Sequence, residues 1–338
     1  MTNIPADLLT WANEQLSAAG DDLVEKAIPL REEASFRKYF RLIRGSDSLI
    51  GVFSPPDKES NENFLFFSQF LKDNQVRVPE VICHDLKKGF MVLEDFGDRL
   101  YQFELSKKNA HSLYAAALEE MIAIQTSPAN RRVAKLSYEK AFEQIVLFEE
   151  WFLKGFLGFN LQDRESDLLK ESYQIILKTF FEQPQVLCHF DFESRNIMVL
   201  EDGCAGILDF QDSIIGPIFL DPVSLLKDLD RVWKPEDLEG FLSDYILKAR
   251  IAGILPDVEE TVMKRWFDLA GLQRQLRILG TLSRLHLRDG KSYRLVDLKQ
   301  TLLYMIDASS GYKNLTELSI FLQKRILPAL ESNLKTNL

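Results

Sequence analysis

The spacing of apolar residues divides the chain into parts with different predicted secondary structure. Between residues 8 and 16 apolar side chains recur at helical spacing and Gly20 follows, which predicts a short amphipathic helix. From about residue 27 to 53 three short strand-like pieces follow, with the turn "RGSD" before the third, and they indicate an antiparallel meander. A helical stretch, "ESNENFLFFSQFLKDNQ", and two more strand-like stretches, "EVICHD" and "GFMVLEDF", complete a predicted five-stranded lobe.

The remainder of the chain is predicted to be mostly helical. The stretch "AHSLYAAALEEMIAI" has an apolar stripe, and "FEQIVLFEEWFLKGFL" is apolar on nearly all sides, which predicts a buried helix. Strand-like sequence returns only between residues 185 and 209. A chain of 338 residues exceeds the size at which a single core usually keeps growing. We therefore predict an α+β fold of two lobes: residues 1–96, an antiparallel sheet of five strands with one helix, and residues 97–338, larger and mostly helical.

Composition and charge narrow the class of partner. The chain has 41 basic and 51 acidic residues and a net charge of −10, which argues against nucleic acid or an anionic membrane as partner. The three cysteines lack a CxxC spacing, so neither a disulfide framework nor a zinc site is predicted. The N-terminus has no basic segment of a signal peptide, and no run of 18 apolar residues occurs. These features favour a cytoplasmic protein with a small-molecule partner.

Two short segments carry the candidate chemistry: "CHFDFESRN", residues 188–196, and "DFQD", residues 209–212. Asp191 and Asn196 follow one predicted strand, and Asp209 ends the last strand of a hairpin that can fold back beside them. Oxygen-bearing side chains without thiols or paired histidines suit a hard cation such as Mg²⁺. Phosphoryl transfer needs one carboxylate to accept the proton of the attacking hydroxyl, and an Asn and an Asp to hold the metal on nucleotide phosphates.

The spacing H-x-D-x-x-x-x-N followed by D-F resembles the catalytic segments of the protein-kinase-like superfamily. The resemblance implies that Asp191 is the catalytic base and that Asn196 and Asp209 are metal ligands. It also implies a structural role for His189 and the use of ATP and Mg²⁺. The predicted order of the lobes agrees with the two-lobed kinase architecture.

Departures from the protein-kinase pattern indicate a branch of that superfamily. Glu193 stands where kinases acting on Ser or Thr commonly carry lysine, and the segment after Asp209 is short and lacks A-P-E, so no protein substrate is expected. The chain is similar in both respects to the aminoglycoside and choline kinase-like phosphotransferases. Segments such as "EASFRKYFRL", "FDFESRNIMVL" and "FDLAGLQRQLRILGTLSRLHLRDG" resemble the bacterial anomeric kinases for N-acetylmuramate and N-acetylglucosamine, over most of residues 33–290.

The nucleotide site lacks two parts of the protein-kinase pattern. The loop "EASFRKYF" contains no glycine, and the third strand, "LIGVF", contains no lysine. Arg37, Lys38 and Arg41 are the nearest cations, and Arg37 is favoured because it lies at the loop tip. Glu62 is either a remnant of the kinase helix glutamate or, as we prefer, a solvated acid. The predicted nucleotide contacts are Ser35, Phe36, Arg37 and Lys38 in the loop and Leu93 and Asp95 in the hinge.

The sequence predicts the residues of the acceptor site less fully than those of the nucleotide site. In the predicted helix after residue 261 four arginines fall close to one face: Arg274, Arg277, Arg284 and Arg288. They form either a solvated face or a site for an anionic substrate, whose carboxylate would suit an arginine fork. The predicted acceptor contacts are Asp212, Gln273 and Arg274, with a loop cap as the alternative role of Asp212. Asp221 and Pro222 are predicted to be the N-cap and first residue of a helix.

Together these features predict an ATP- and Mg²⁺-dependent small-molecule kinase. The preferred acceptor, which rests on the resemblance, is the anomeric hydroxyl of N-acetylmuramate or N-acetylglucosamine. Two alternatives remain open: a kinase of another small alcohol, such as an amino alcohol or an aminoglycoside, and a catalytically silent nucleotide-binding protein of the same fold.

Overall fold

The structure is a computed structural model that describes residues 5–30 and 36–337. The strands are β1 (Lys26–Pro29), β2 (Lys38–Arg44), β3 (Asp47–Phe53), β4 (Val81–Asp85), β5 (Phe90–Glu94), β6 (Gln185–Cys188), β7 (Ile197–Val199), β8 (Ala205–Ile207) and β9 (Ile214–Pro217). The α-helices are α1 (Ala6–Ala19), α2 (Asn61–Asp73), α3 (Tyr101–Glu104), α4 (Ala110–Thr126), α5 (Tyr138–Leu147), α6 (Asp163–Phe181), α7 (Leu220–Leu226), α8 (Pro235–Ile251), α9 (Glu260–Asp289), α10 (Asp297–Ser310), α11 (Thr316–Phe321) and α12 (Leu327–Asn337).

The chain divides into two compact units, and the first takes in the described residues of Met1–Ser127 and Arg195–Asp212. Its centre is an antiparallel sheet in the order β1-β2-β3-β5-β4, with α2 inserted between β3 and β4. The turn between β2 and β3 contains Gly45 at a φ of +56°, which glycine adopts without a steric penalty. The predicted meander, the five strands and the inserted helix are confirmed.

Helix α1 supplies part of the core of the first unit. Its buried residues Leu8, Trp11 and Leu16 pack with Phe40 and Val92 of the sheet. The helix ends at Gly20, whose φ is +82° and whose N–H donates to the carbonyl groups of the last turn. The apolar face of α1 therefore covers the sheet, as the helical spacing of its apolar residues predicts.

The second unit comprises Pro128–Ser194 and Ser213–Leu338, and the 30-residue helix α9 packs against α5, α6, α7 and α10 within it. The apolar stretch after α5 forms a π-helical segment, Phe148–Phe156. Its phenylalanines at 148, 152 and 156 are buried, whereas Glu150 and Lys154 are exposed. The segment is therefore buried on its phenylalanine face, as the prediction of a buried helix has it, whereas the charged residues on the other face reach solvent.

The sequence predicts a single boundary between the lobes at residue 96, whereas the two compact units divide the chain at other positions. The hairpin of β7 and β8 belongs to the first unit because its backbone bonds there: Val199 N donates to Arg99 O at 2.7 Å, and Ile207 N donates to Arg77 O at 2.8 Å. Strand β6 pairs instead with β9, a short strand that the sequence analysis did not predict. No helix in the described ranges, 5–30 and 36–337, has the length and apolar character that a membrane span requires.

Candidate functional site

The hairpin of β7 and β8 brings Asn196 and Asp209 to the same end of one supersecondary element. Asn196 ends the 3₁₀ turn Ser194–Asn196 directly before β7, and Asp209 follows β8 after one intervening residue. Leu208 N donates to the Asn196 carbonyl oxygen at 2.9 Å, one position beyond the pair of Ile197 with Ile207. Asp209 has a φ of +60°, which is uncommon for a residue with a side chain, and its Oδ1 accepts from Gln211 Nε2 at 2.8 Å.

The donor set at this end of the hairpin fits a hard divalent cation. Amide and carboxylate oxygens are the ligands that Mg²⁺ takes, usually one or two from the protein with the rest from substrate phosphates and water. Over the part of the chain that the structure describes, no group of three or more His, Cys, Asp or Glu side chains could hold a metal ion. Asn196 and Asp209 offer two such oxygen donors, and an ion held by them would take its remaining ligands from phosphate and water.

Phe210, next to Asp209, connects the hairpin to the predicted phosphate loop through ring contacts. Its buried ring lies 5.1 Å from the ring of Phe64 in α2, and the guanidinium of Arg37 lies over the same Phe64 ring at 5.5 Å. Arg37 is only 4% exposed. Its Nη2 pairs with Glu59 Oε2 at 3.2 Å, and its Nε donates to Ser54 Oγ at 3.2 Å. Arg37 and Glu59 thus form an ion pair beside the aromatic residue that contacts Phe210.

The other predicted loop residues have different environments. Ser35 lies outside the described residues. Phe36 is exposed, and its N–H donates to Glu59 Oε1 at 2.9 Å, while Lys38 is exposed at the start of β2. Glu62 is also exposed, in agreement with the preferred interpretation as a solvated acid. The acid that engages the loop is Glu59, which the sequence analysis missed because it precedes α2 and does not occupy the position of the kinase helix glutamate.

The hinge after β5 is fixed by an arginine on β2. Arg41 donates to Asp95, to Asp98 and to the Gly97 carbonyl oxygen, and Ser48 Oγ donates to Asp95 at 2.8 Å. Burial opposes the charge of Arg41, but the hydrogen bonds to Asp95 and Asp98 outweigh it and raise the pKa of its guanidinium. The guanidinium of Arg41 is therefore held by the residues of the hinge. Leu93, which pairs with Ile50 of β3, is buried, so the hinge offers a ligand backbone groups more readily than side chains.

Two buried acids hold the loop that contains Asp191. Asp221, in the first turn of α7, accepts from His189 N at 2.6 Å and from Phe190 N at 2.9 Å. Asp228, beyond the end of α7, accepts from Ser194 N at 2.8 Å and Ser194 Oγ at 2.6 Å. Because these bonds fix the backbone on both sides of Asp191, they limit the positions that its carboxylate can take. Phe190 is held at a φ of +81°, an uncommon conformation for a bulky residue.

The prediction that Asp221 is a helix N-cap was wrong. The N-cap of α7 is Phe219, and Asp221 is the second residue of the helix, with no exposed surface. Its side chain bonds to the backbone of residues 189 and 190, which are more than thirty positions away in the chain. A sequence pattern that considers only neighbouring residues cannot identify such partners. The structural role expected for His189 is compatible with its 1% exposure.

The burial of Asp221 predicts a pH-dependent stability. Burial raises the pKa of its carboxyl from 3.8 to about 6. The folded protein therefore holds this proton more tightly than the unfolded chain, and the contribution to stability falls by about 3 kcal/mol as pH rises from about 4 through 6. We expect Asp221→Asn to lose this dependence, so that its melting temperature relative to wild type increases between pH 4 and 7. The exposed Asp244→Asn is the matched control, and an equal shift in both variants would contradict the assignment.

Two arginines of α9 reach the loop around Asp191. Arg274, 3% exposed, pairs with Glu193 and donates to Ser224 Oγ at 2.9 Å. Arg277, one turn further along α9, donates from Nη2 to Asp191 Oδ1 at 3.0 Å. Its guanidinium carbon lies 4.3 Å from the centroid of the Phe190 ring, a cation–π geometry. Glu193, where protein kinases commonly carry lysine, therefore has a partner within the second unit.

A cavity of about 550 Å³ opens beside Arg277 in the second unit. Its lining comes from α5 and α9 and includes Lys140, Glu143, Gln144, Arg277, Thr281 and Arg284. Gly280 permits the close approach of the two helices, because a Cβ there would lie 2.4 Å from the Leu147 backbone. The cavity carries three basic side chains against one acidic side chain, in a protein whose net charge is −10.

The predicted acceptor residues do not line this cavity. Gln273 and Arg274 are each 3% exposed, and Gln273 donates to Oε1 of the lining residue Gln144 at 3.0 Å. Asp212 is exposed and belongs to the first unit. Arg277 and Arg284 belong to the predicted basic stripe, but neither is among the predicted acceptor contacts. Their spacing with Thr281, at positions i, i+4 and i+7 of one helical face, was the available indication.

Comparison with known proteins agrees with the fold. Residues 26–254 match the model of the Phosphotransferase enzyme family. The N-acetylmuramate/N-acetylglucosamine kinase of Pseudomonas putida is 31% identical over 92% of this chain and 93% of its own. The kinase of the same name from Pseudomonas aeruginosa is 34% identical, over 86% of each chain.

Solved structures of kinases share the fold at low identity. The choline kinase LicA from Streptococcus pneumoniae has a TM-score of 0.62 at 14% identity and covers 89% of this chain and 100% of its own. The ADP-bound aminoglycoside phosphotransferase APH(2'')-Ib has a TM-score of 0.60 at 16% identity, over 90% and 99% of the two chains. The family match spans more than half of the chain and the relatives match nearly all of it, and the chain therefore belongs to the phosphotransferase enzyme family.

Proposed function

We propose that this protein transfers the γ-phosphate of ATP to the anomeric hydroxyl of N-acetylmuramate and N-acetylglucosamine, in the cytoplasmic recycling of cell-wall sugars. The observation that carries the proposal is the match, over 92% of the chain, to a kinase named for these two sugars. The cavity of about 550 Å³ supports it, because its volume suits a hexose derivative and its lining includes Arg277, the partner of Asp191.

In this proposal Asp191 orients the hydroxyl of the acceptor and accepts its proton as the oxygen attacks the γ-phosphorus. General-base assistance of this kind requires a carboxylate in a fixed position. Asp221 and Asp228 provide that position by holding the backbone of residues 189, 190 and 194. The side chain of Asp191 is one-third exposed, so a ligand can reach it.

Asn196 and Asp209 are the residues that would hold Mg²⁺. When bound, the ion neutralises charge on the β- and γ-phosphates of the nucleotide. Arg37 and Lys38, with Ser35 and Phe36, are proposed to contact the phosphates, and the backbone at Leu93 and Asp95 the adenine. The pair of Arg37 with Glu59 takes the place of the strand lysine and helix glutamate of protein kinases.

The charge of the cavity argues against cationic acceptors. Choline and aminoglycosides carry positive charge, which acidic groups or the faces of aromatic rings stabilise in a binding site. Lys140, Arg277 and Arg284 outnumber Glu143 in the lining. An acceptor that is neutral or anionic fits this lining better, and both proposed sugars meet that requirement.

The proposal is tested by ADP release from Mg-ATP with a panel of acceptors: N-acetylmuramate, N-acetylglucosamine, the 1-O-methyl glycoside of N-acetylglucosamine, choline and kanamycin. We expect turnover with the two free sugars and none with the glycoside, whose anomeric oxygen is blocked. Turnover with the glycoside would place the phosphate elsewhere on the sugar. Turnover with choline or kanamycin alone would show that the acceptor is not an N-acetyl sugar. ATP binding without any turnover would favour the catalytically silent alternative.

Replacing Arg37 tests the proposed substitute for the missing strand lysine. Arg37→Met should raise the KM for ATP by roughly 10- to 100-fold, because hydrogen bonds to charged groups contribute about 1.5–3 kcal/mol. Arg37→Lys, which keeps the charge but not the planar fork, should show a smaller increase. Calorimetric titration with ADP and melting curves separate nucleotide binding from stability. Unchanged nucleotide affinity in a folded Arg37→Met protein would assign Arg37 to stability alone.

A further inference from the structure

Arg277 contacts both the candidate base and the candidate acceptor site. One of its N–H groups donates to Asp191 Oδ1 at 3.0 Å, and its side chain also lines the cavity between α5 and α9. A guanidinium has five N–H donors in a planar fork, so it can serve a second acceptor in addition to Asp191. Its side chain is 17% exposed, which is enough for a ligand in the cavity to reach it.

The position of this guanidinium is fixed from the side of the loop. It lies over the ring of Phe190 at 4.3 Å, and the Phe190 backbone is in turn held by Asp221. Thr281 and Arg284 follow Arg277 on the same face of α9, and both line the cavity. A fixed arginine with a second arginine about two turns away on the same helical face is well suited to a carboxylate.

We propose that Arg277 is the specificity-determining residue of the acceptor site, and that it selects sugars that carry a carboxylate. This inference rests on the proposed function. N-acetylmuramate differs from N-acetylglucosamine by a lactyl ether that ends in a carboxylate. That carboxylate pairs with N–H groups of the guanidinium that Asp191 does not use, so the ion pair of Arg277 with Asp191 stays in place with either sugar.

The test compares calorimetric binding of both sugars, without nucleotide, to wild type and three variants. Arg277→Gln should weaken N-acetylmuramate by roughly 10- to 100-fold, since it loses hydrogen bonds between charged groups, and N-acetylglucosamine by less than about threefold. Arg277→Lys should restore part of the affinity for N-acetylmuramate alone. Arg288→Gln is the matched control: Arg288 is on the same helix, exposed and paired with Asp289, outside the cavity. It should bind both sugars as wild type does.

Turnover supplies a second, independent readout. In Arg277→Gln the KM for N-acetylmuramate should rise more than the KM for N-acetylglucosamine, because only N-acetylmuramate loses a contact to its carboxylate, while loss of the partner of Asp191 affects kcat for both sugars alike. Equal losses with the two sugars, in binding or in KM, would reduce Arg277 to a positioning residue and overturn the inference. A wild-type protein that binds the sugars but phosphorylates neither would overturn the proposed function, and the binding comparison would still decide the role of Arg277.

Discussion

Asp191→Asn is expected to lower kcat for the sugar by about 10²- to 10⁴-fold, the range over which a positioned general base contributes to catalysis. Asparagine keeps the size and hydrogen-bonding shape of the side chain but cannot accept the proton. The KM values for ATP and for the sugar should change much less than kcat, since the substitution leaves the nucleotide residues and the cavity lining in place. Steady-state measurements with each substrate varied in turn give this separation.

A matched control distinguishes loss of the base from loss of a charge. The exposed Asp257→Asn should keep wild-type kcat. Asp191→Asn also removes the ionic partner of Arg277, so its melting temperature and its calorimetric affinity for ADP should be measured beside the rates. Turnover near the wild-type value in a folded Asp191→Asn protein would show that the hydroxyl proton is accepted elsewhere.

The second large effect is expected for Asp209→Asn. A metal ion that neutralises transferring phosphate contributes several kcal/mol to the transition state, which corresponds to a loss of about 10²-fold or more in kcat. Raising the Mg²⁺ concentration should recover part of the activity, because the amide remains a weaker oxygen ligand. The concentration of Mg²⁺ at half-maximal rate is the measured quantity.

The control for Asp209 lies on the same hairpin. Asp202, in the turn between β7 and β8, is exposed and accepts from Cys204 N at 2.9 Å. Asp202→Asn should keep the Mg²⁺ dependence of wild type. Binding of Mn²⁺ in the presence of ADP, followed by the paramagnetic relaxation of water, tests the same site without turnover. If Asp209→Asn bound Mn²⁺·ADP as tightly as wild type, Asp209 would not be a metal ligand.

The sequence predicts the elements of the first unit well because their patterns are local. Strand alternation and the turn at Gly45 identify the meander, and the helical spacing around Trp11 identifies α1. The short strand β9, Ile214–Pro217, was missed because it ends in glycine and proline, which are typical of turns rather than strands. The hairpin of β7 and β8 was predicted as a hairpin, but its place in the first unit depends on hydrogen bonds to residues 77 and 99, which no local pattern encodes.

The candidate site likewise contains residues that the sequence predicts and residues that only the folded structure reveals. The spacing of residues in two short segments, 188–196 and 209–212, pointed to Asp191, Asn196 and Asp209, whose roles are proposals. Partners from distant segments were not foreseen: Glu59 pairs with Arg37 of the predicted phosphate loop, and Asp221 bonds to the backbone of residues 189 and 190 rather than capping a helix. On α9 the sequence identified a basic stripe. Only packing decides that Arg274 faces Glu193 while Arg277, a turn further on, lines the cavity.

The most direct measurement is a two-dimensional ¹H–³¹P correlation spectrum of the product formed from N-acetylglucosamine and Mg-ATP. If Asp191 directs transfer to the anomeric hydroxyl, the new phosphorus resonance will correlate with the H1 proton, and the same product will form far more slowly with Asp191→Asn. A correlation with any other ring or methylene proton, or a product that forms at the same rate without the Asp191 carboxylate, would contradict this assignment.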